Sequence, residues 1–231
     1  MKIAILSDIH GNLEALQSIG DAWDELWVLG DLVNYGPNPA EVVDYVRKNG
    51  AIVVRGNHDH AVGYGADPQC SPAFRQMARA MQTYTEAVLS DEQKAYLRRL
   101  PTTVQKVVDG RRFFLCHATP AEPLFQYGPR EEAFWAREAA AVDAEILLVG
   151  HTHLPFILNV GAQQVVNPGS AGQPKHGVCA ACYAVWDEGT LTLKSQPYDV
   201  ETTVRKLMGL PIDAGIQDQL AGVLRSGSPP R

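Results

Sequence analysis

The sequence predicts one α/β domain in which helices lie outside two sheets. In the first third of the chain, short apolar runs alternate with helical patterns, which is typical of βαβ units with parallel strands. Beyond residue 100 the pattern becomes rich in strands. The 231 residues, 45% of them hydrophobic and 20% charged, are enough for one globular core. We assign residues 1–225 to this domain and residues 226–231 to a frayed polar tail.

The first third of the chain contains buried strands separated by helices. Apolar runs predict strands at residues 2–7, 26–29 and 51–54, and helical patterns predict helices at 12–23 and 39–49. Gly50 follows the second helix and is a typical stop signal.

Residues 72–99 form a segment of a different kind. Ser71 can cap a helix with Pro72 at its first position, and the segment from Ser90 to Gln93 reads as a capping box for a second helix. Two successive helices without a strand between them indicate an insertion that covers a site. Ordinary packing of these helices on a sheet explains the pattern equally well.

The remaining elements are mostly strands. Residues 104–108 and 112–116 flank Asp109-Gly110, which is a hairpin signal. A helix is predicted at residues 130–142. Further strands are predicted at 145–149, 156–160, 163–166, 178–186 and 191–196, and two closing helices at 200–208 and 212–224.

Cys179 and Cys182 have the spacing of a metal-binding pair, and no second such pair exists for a zinc site. If residues 178–186 form a strand, side chains three positions apart point to opposite faces. We therefore predict that both thiols pack in the core and do not share a metal or a disulfide.

Polar clusters follow the strands at five places in the chain. Because ligand sites in α/β sheets lie beyond the carboxyl ends of the strands, these clusters are expected to converge. Adjacent glycines permit the sharp turns that hold them. The clusters are Ser7–Asn12, Leu29–Asp31, Arg55–Asp59, Cys116–Ala118 and Val149–His153.

The spacing within the clusters suggests metal binding. Asp8 and His10 are two residues apart and would face the same way in extended backbone, as would His151 and His153. Two metal ions about 3.5–4 Å apart need a bridging carboxylate. Asp31 is the only acidic side chain of its cluster and is the natural bridge, although in isolation it could equally be a helix N-cap.

The five clusters together resemble the calcineurin-like metallophosphoesterases. The family pattern is D-x-H, G-D, G-N-H-[DE], H and G-H-x-H, in that order. The segments 7–12, 30–37 and 167–170 resemble the small bacterial and archaeal phosphodiesterase-like members. The resemblance implies a four-layer sandwich of two mixed sheets flanked by helices, in which residues 72–99 are the candidate helical insertion.

The resemblance also implies a centre of two divalent transition-metal ions, drawn from Mn, Fe, Zn, Ni or Co, which suit mixed imidazole and carboxylate ligands. One ion would be held by Asp8, His10, Asp31 and His153, and the other by Asp31, Asn57, His117 and His151. A hydroxide bridging the ions would attack the phosphate in line. His58 would act as general acid, with Asp59 orienting its ring.

Several other polar and aromatic side chains have two interpretations each. Asn12 either contacts substrate or caps the first helix, and Arg55 binds phosphate or forms an ion pair with Asp59. Aromatic residues near the strand ends either line a pocket or pack, and these are Tyr35, Tyr127 and Trp135. His60 and His176 fit no ligand position and are predicted at the surface, with His60 near the rim of the site.

The sequence thus predicts a hydrolase acting on a phosphodiester or phosphomonoester. A nucleotide phosphatase or pyrophosphohydrolase is the alternative, and a non-catalytic metal-binding scaffold is the alternative from another class. The net charge of −6 argues against a dedicated nucleic-acid surface. The predicted partner is a small phosphorylated, nucleotide-like substrate, and a homo-oligomer is compatible with the sequence. Because the sequence shows neither an apolar segment of membrane length nor a secretory leader, we predict a cytoplasmic protein.

Overall fold

Two five-stranded mixed sheets pack face to face in the computed structural model, which describes residues 1–20 and 22–229. The strands are, in chain order, β1 Ile3–Leu6, β2 Glu25–Val28, β3 Gly50–Val53, β4 Thr103–Val108, β5 Arg111–Cys116, β6 Ile146–Leu148, β7 Phe156–Val160, β8 Gln163–Asn167, β9 Ala181–Asp187 and β10 Thr190–Gln196. The first sheet has the order β10-β9-β1-β2-β3 and the second β4-β5-β6-β8-β7.

Helices cover the outer faces of both sheets. They are α1 Leu13–Ser18, α2 Pro39–Asn49, α3 Asn57–Tyr64, α4 Arg75–Val88, α5 Asp91–Arg99, α6 Glu132–Ala140, α7 Val200–Met208 and α8 Ala214–Ser226. A short 3-10 turn, Pro72–Phe74, leads into α4. Among the described residues, no helix is both long enough and apolar enough to cross a membrane.

Strand β1 shows how the layers form, because it is buried on both faces. Alternate residues of a strand point to opposite sides. Ile3 and Ile5 therefore pack between the sheets with Trp27, Phe113 and Trp186. Ala4 and Leu6 lie on the other side, under the helices α1 and α2. Strands β1, β2 and β3 run parallel, as the βαβ pattern predicts. The predicted four-layer α/β sandwich is confirmed.

The two helices of the segment at 72–99 pack against different parts of the fold. Helix α5 packs against α3 and α2 as an ordinary outer helix. Helix α4 and the preceding turn form a separate apolar cluster with α7 and α8, in which Phe74, Met77 and Leu220 are buried together with Tyr35. Tyr35 belongs to the loop after β2, so this cluster lies beside the carboxyl ends of the strands.

Three predicted elements differ from the structure. The helix predicted at 12–23 ends at Ser18, because Asp24 must return to pair with Lys2 at the start of β2. The helix α3 is not predicted, since its first turn reads as a polar cluster. The predicted strand 178–186 begins only at Ala181.

The late start of β9 changes the explanation for the cysteine pair. Cys179 lies before the strand and its thiol donates to the Arg225 carbonyl oxygen, 2.7 Å away, whereas Cys182 is buried within the strand. The premise that both residues lie on one strand is therefore wrong.

The C-terminal tail begins at the end of α8. Gly227 caps that helix in the left-handed region, with φ of 62°, so Ser226, the first residue of the predicted frayed tail 226–231, is still helical. Residues 230 and 231 lie outside the described part of the chain.

Candidate metal centre

The loops after five strands meet at one edge of the sandwich and are tied together by hydrogen bonds. The backbone N–H of Asp8 donates to the Gly30 carbonyl (3.0 Å), and that of Gly150 donates to the His117 carbonyl (2.7 Å). The two sheets are also linked directly, because the N–H of His151 donates to Asp8 Oδ2 at 3.1 Å. This network places side chains from distant parts of the sequence at one spot.

The loop residues at this edge have an unusual backbone conformation. Asp8, His10, Asp31, His151 and His153 all have positive φ, between 48° and 64°. The left-handed region is costly for residues other than glycine and recurs at functional sites. The prediction that Asp8 and His10, or His151 and His153, face the same way in extended backbone is therefore wrong, because each is turned by a left-handed loop.

One group of candidate metal ligands consists of Asp8, His10 and His153. The Nε2 atoms of the two imidazoles are 3.3 Å apart. Asp8 Oδ1 lies 3.3 Å from His153 Nε2 and 3.8 Å from His10 Nε2. All three side chains are buried.

A second group consists of Asp31, His117 and His151. His117 Nε2 lies 3.3 Å from Asp31 Oδ2 and 3.2 Å from His151 Nδ1. Asn57 Oδ1 is 3.0 Å from the same His117 nitrogen. Asp31 Oδ2 also lies 3.7 Å from His10 Nε2, so this carboxylate stands between the two groups. All seven predicted ligands therefore come together, in the two sets that the resemblance implies.

The hydrogen bonds of the four imidazoles determine which nitrogen of each ring directs a lone pair toward the centre. In each ring, one nitrogen forms a hydrogen bond of 2.6–3.2 Å with a backbone carbonyl oxygen. The pairs are His10 Nδ1 with Val33, His117 Nδ1 with Leu29, His151 Nε2 with Phe125 and His153 Nδ1 with Gln173. A carbonyl only accepts, so that nitrogen carries the proton. The other nitrogen of each neutral ring then points inward as a lone pair.

Inward lone pairs and carboxylate oxygens at these distances repel one another unless a cation lies between them. In addition, Asp8 Oδ1 is buried and has no hydrogen-bond partner. Imidazole, carboxylate and amide donors with the ring orientation fixed by outer carbonyls are what divalent transition metals bind. The residues present therefore fit a pair of such ions.

The protonation of the histidines follows from burial and from the aspartates. Burial lowers the pKa of His10, of His153 and of His151, in the last case to about 3. His117 behaves differently. Burial lowers its pKa, but the charge and hydrogen bond of Asp31, together with Asp8 and the Leu29 carbonyl, outweigh burial and raise the value to about 9. Without metal, a proton therefore occupies the space between His117 and Asp31.

This proton predicts a pH dependence of metal binding. A metal ion at the group of Asp31 and His117 must displace the proton, so we expect release of about one proton per chain at pH 7. Metal affinity should rise about tenfold per pH unit and level off near pH 9, because above that pH His117 is already neutral. Titration calorimetry with Mn²⁺ in buffers of different ionisation enthalpy measures the proton. An affinity independent of pH between 6 and 9 would contradict the prediction.

His58 lies next to the two groups without belonging to either. Its backbone N–H donates to Asp31 Oδ1 at 2.8 Å, and its ring lies edge-to-face with that of His10 at 5.1 Å. The ring nitrogen Nδ1 is 2.8 Å from Asn34 Nδ2. The side chain is thus held at the centre and its Nε2 is left for another partner.

The structure corrects the predicted role of Asp59. Its Oδ2 accepts the N–H groups of Asp31 and Gly56, and its Oδ1 accepts that of Leu32, at 2.8–3.0 Å. Asp59 therefore shapes the loop that carries Asp31, and the amide of Asn34 takes the place beside the ring of His58. The sequence places Asp59 next to His58, but on the first turn of α3 consecutive side chains point in different directions.

Asn34 is a site residue that the sequence analysis missed. It is fully buried and has a φ of 68° in the turn after Asp31. As placed, its Nδ2 donates to His58 Nδ1 while its Oδ1 has no partner. A half-turn of the amide would let Oδ1 accept a proton from a charged His58 ring, so this side chain can serve both protonation states. The only signal in the sequence is its position three residues after Asp31.

The side chains of Asn12 and Arg55, the two predicted substrate contacts, both form hydrogen bonds within the protein. The Asn12 side chain caps α1 by accepting from Ala15 N and donates to the Gly172 carbonyl and to Tyr198. Of its two interpretations, the helix cap is the one observed. Arg55 packs over the Tyr64 ring and donates to the Arg98 carbonyl. The ion pair predicted with Asp59 is wrong, because that carboxylate is occupied by backbone amides.

The aromatic residues separate into site and core. Tyr35 is buried with its ring centroid 4.8 Å from those of His10 and His58, and Tyr127 stacks on His151 at 4.1 Å. Trp135 is buried in the core behind α6. Both remaining histidines are partly buried: His60 stacks on Tyr64 at 4.8 Å, and His176 Nε2 lies 3.6 Å from Cys182 Sγ.

The loop after β8 fits tightly against the Asp8 loop. Ser170 Oγ donates to the Asp8 carbonyl at 2.7 Å, and Gly172 N donates to the same oxygen at 3.1 Å. A Cβ at Gly172 would lie 1.8 Å from the Ile9 carbonyl oxygen, so only glycine fits. The next residue, Gln173, holds the ring of His153.

This close approach predicts the effect of Gly172→Ala. The substitution forces the loop away from Ile9, and overpacking of this kind costs about 1–3 kcal/mol. Because Gln173 would move as well, metal binding by Asp8, His10 and His153 should also weaken. Gly222→Ala is the control, because nothing lies within 4 Å of its Cβ on the exposed side of α8 and alanine is the better helix former. Thermal unfolding and metal titration check both, and an unchanged melting temperature for Gly172→Ala would contradict the prediction.

Comparisons with known proteins agree with this geometry. Residues 1–190 match the model of the calcineurin-like phosphoesterase superfamily domain. The crystal structure of a metallophosphoesterase from Sphaerobacter thermophilus superposes with a TM-score of 0.82 at 30% identity, over 98% of this chain and 99% of that one. Phosphodiesterase YfcE from Escherichia coli K12 is 28% identical, over 84% of this chain and 91% of its own. A symmetrical bis(5'-nucleosyl)-tetraphosphatase from Serratia proteamaculans is 32% identical, over 62% of this chain and 50% of its own.

Proposed function

The chain belongs to the calcineurin-like phosphoesterase superfamily and is a metallophosphoesterase, and from this premise we propose that it hydrolyses a phosphodiester at a centre of two divalent transition-metal ions. The observation that supports the proposal best is the set of four imidazoles, each with one nitrogen on a backbone carbonyl oxygen and the other directed inward at two buried carboxylates. Outside a metal site, such a cluster would be strongly unfavourable.

In the proposed centre, each ion has four protein ligands. Asp8, His10, Asp31 and His153 hold one, and Asp31, Asn57, His117 and His151 hold the other. When bound, the pair would supply Lewis acidity and would activate water for attack on the phosphate. With two aspartates against two divalent ions, the centre keeps a net charge of roughly +2, which attracts an anionic phosphate to an acidic protein.

His58 is the proposed general acid, which protonates the leaving oxygen. In the metal-free protein, burial lowers the pKa of His58 to about 4. A phosphate anion beside the ring would favour the charged form and raise this pKa again. The amide of Asn34 keeps the ring in place in either state. Asp59 contributes indirectly, because the loop that it holds carries Asp31.

The similarity to a protein named phosphodiesterase, over most of both chains, supports a diester substrate. A nucleotide pyrophosphohydrolase is the second candidate. It is supported by the similarity to the tetraphosphatase and by Tyr127, whose half-exposed ring stacks on His151 and offers a face for a nucleobase. Manganese is the metal that we propose to load first.

A substrate panel tests the proposed function. Protein loaded with Mn²⁺ is assayed with bis-(p-nitrophenyl) phosphate, p-nitrophenyl phosphate and diadenosine tetraphosphate, with metal content measured in parallel. We expect hydrolysis that EDTA abolishes and that is fastest with the diester. Fastest turnover of the tetraphosphate would favour the pyrophosphohydrolase. Two bound ions without hydrolysis of any substrate would favour the non-catalytic scaffold.

A further inference from the structure

Lys175 is a charged side chain near this centre to which neither the sequence nor the ligand sets assign a role. It lies in the loop after β8, two residues beyond Gln173. Its Nζ is 4.2 Å from the centroid of the Phe74 ring, on the 3-10 turn that precedes α4. Lys175 therefore connects the loop of the centre with the helical segment beside it.

The position of Lys175 is well determined by its surroundings. The backbone before it is held by Ser170 Oγ, which accepts from Gln173 N at 2.7 Å, and by the bond from His153 to the Gln173 carbonyl. Phe74 in turn lies 6.0 Å from Tyr35, whose ring contacts His58. The ammonium is thus connected to the ring of His58 through the rings of Phe74 and Tyr35.

The charge of Lys175 acts on the centre but is not neutralised there. In the described part of the chain, no carboxylate lies within ion-pair distance of its Nζ, although the side chain is half-buried. Burial lowers its pKa to about 8, while Asp8 and Asp31 raise it. Together with burial, Lys175 lowers the pKa of His58 and of His151. An aromatic ring holds the ammonium by a cation–π contact and leaves its hydrogen-bond donors free.

We propose that Lys175 contacts the substrate phosphate and gives this centre affinity for the second negative charge of a phosphomonoester. The inference rests on the proposed function and extends it to a second substrate class. A diester carries one negative charge, whereas a monoester, with a second pKa near 6, carries close to two at pH 7. A cation placed beyond the metal ligands stabilises the additional oxygen anion and matters little for a diester.

The test compares Lys175→Met, which removes the charge, with Lys175→Arg, which keeps it. Lys106→Met is the control, because it removes one positive charge from the exposed face of β4. Binding of inorganic phosphate to the Mn²⁺-loaded proteins is measured by calorimetry. The kcat/KM is measured for p-nitrophenyl phosphate and for bis-(p-nitrophenyl) phosphate.

For Lys175→Met we expect phosphate affinity and kcat/KM for the monoester to fall about 10- to 100-fold, the range of a hydrogen bond to a charged group. The diester should stay within about threefold, and the metal content should not change. Lys175→Arg and Lys106→Met should resemble the wild type. Unchanged phosphate affinity in Lys175→Met, or equal losses of kcat/KM for both esters, would overturn the inference about Lys175 and leave the proposed function standing. A wild-type protein that hydrolyses neither ester would overturn the proposed function.

Discussion

Asp31→Asn is expected to abolish the dinuclear centre. Asp31 Oδ2 lies 3.3 Å from His117 Nε2 and 3.7 Å from His10 Nε2, so it is the carboxylate common to both groups. An amide of the same shape cannot bridge two cations with a full negative charge. We expect the Mn²⁺ content to fall from two ions to one or none per chain. Loss of a residue that only supports a metal ligand typically lowers activity about 10- to 100-fold. Because Asp31 is itself a proposed ligand, its loss should lower activity by more than this.

The same variant has a second readout that does not depend on turnover. The Asp31 carboxylate raises the pKa of His117, so its removal should leave that ring neutral at pH 7. The proton released on metal addition should then disappear. Asp44→Asn is the matched control, because it makes the same charge change at an exposed position on α2. Two retained ions with normal proton release would contradict the bridging role.

His58→Ala is expected to keep both ions and to lose most of the turnover. The ring belongs to neither ligand group, and the contact with Asp31 is made by the backbone N–H, which alanine retains. Loss of a general acid costs about 10²–10⁴-fold in kcat. The loss should be largest for alkyl esters and smaller for p-nitrophenyl esters, since the more acidic leaving group needs less help from a proton.

His60→Ala is the control for this experiment. It removes an imidazole two residues further along α3 whose ring stacks on Tyr64. Metal content and activity should remain within about threefold of the wild type, because the His60 ring lies against Tyr64 and belongs to neither ligand group. If His58→Ala were as active as this control with both ions bound, His58 would have no part in the chemistry.

The backbone conformation at the centre illustrates a limit of periodicity. The alternation rule for strands assigned Asp8 and His10 to one face, but both residues lie beyond β1 with φ of 53° and 48°. Their side chains still converge, because the loop is pinned to Gly30 and Asp31 in the loop after β2. The conclusion was correct although the local geometry behind it was not, since tertiary hydrogen bonds override local preference in such loops.

The sequence by itself determined that the first strands run parallel and which residues are the candidate ligands. Polar residues that directly follow buried apolar runs must emerge at the carboxyl edge of a sheet, and this follows from chain connectivity alone. Only the tertiary structure decided that Asn34 and not Asp59 lies beside the ring of His58, and that Lys175 lies over the ring of Phe74, about a hundred residues earlier in the chain. Such contacts depend on the direction in which a loop points each side chain. Packing between distant segments sets that direction, and the local sequence does not encode it.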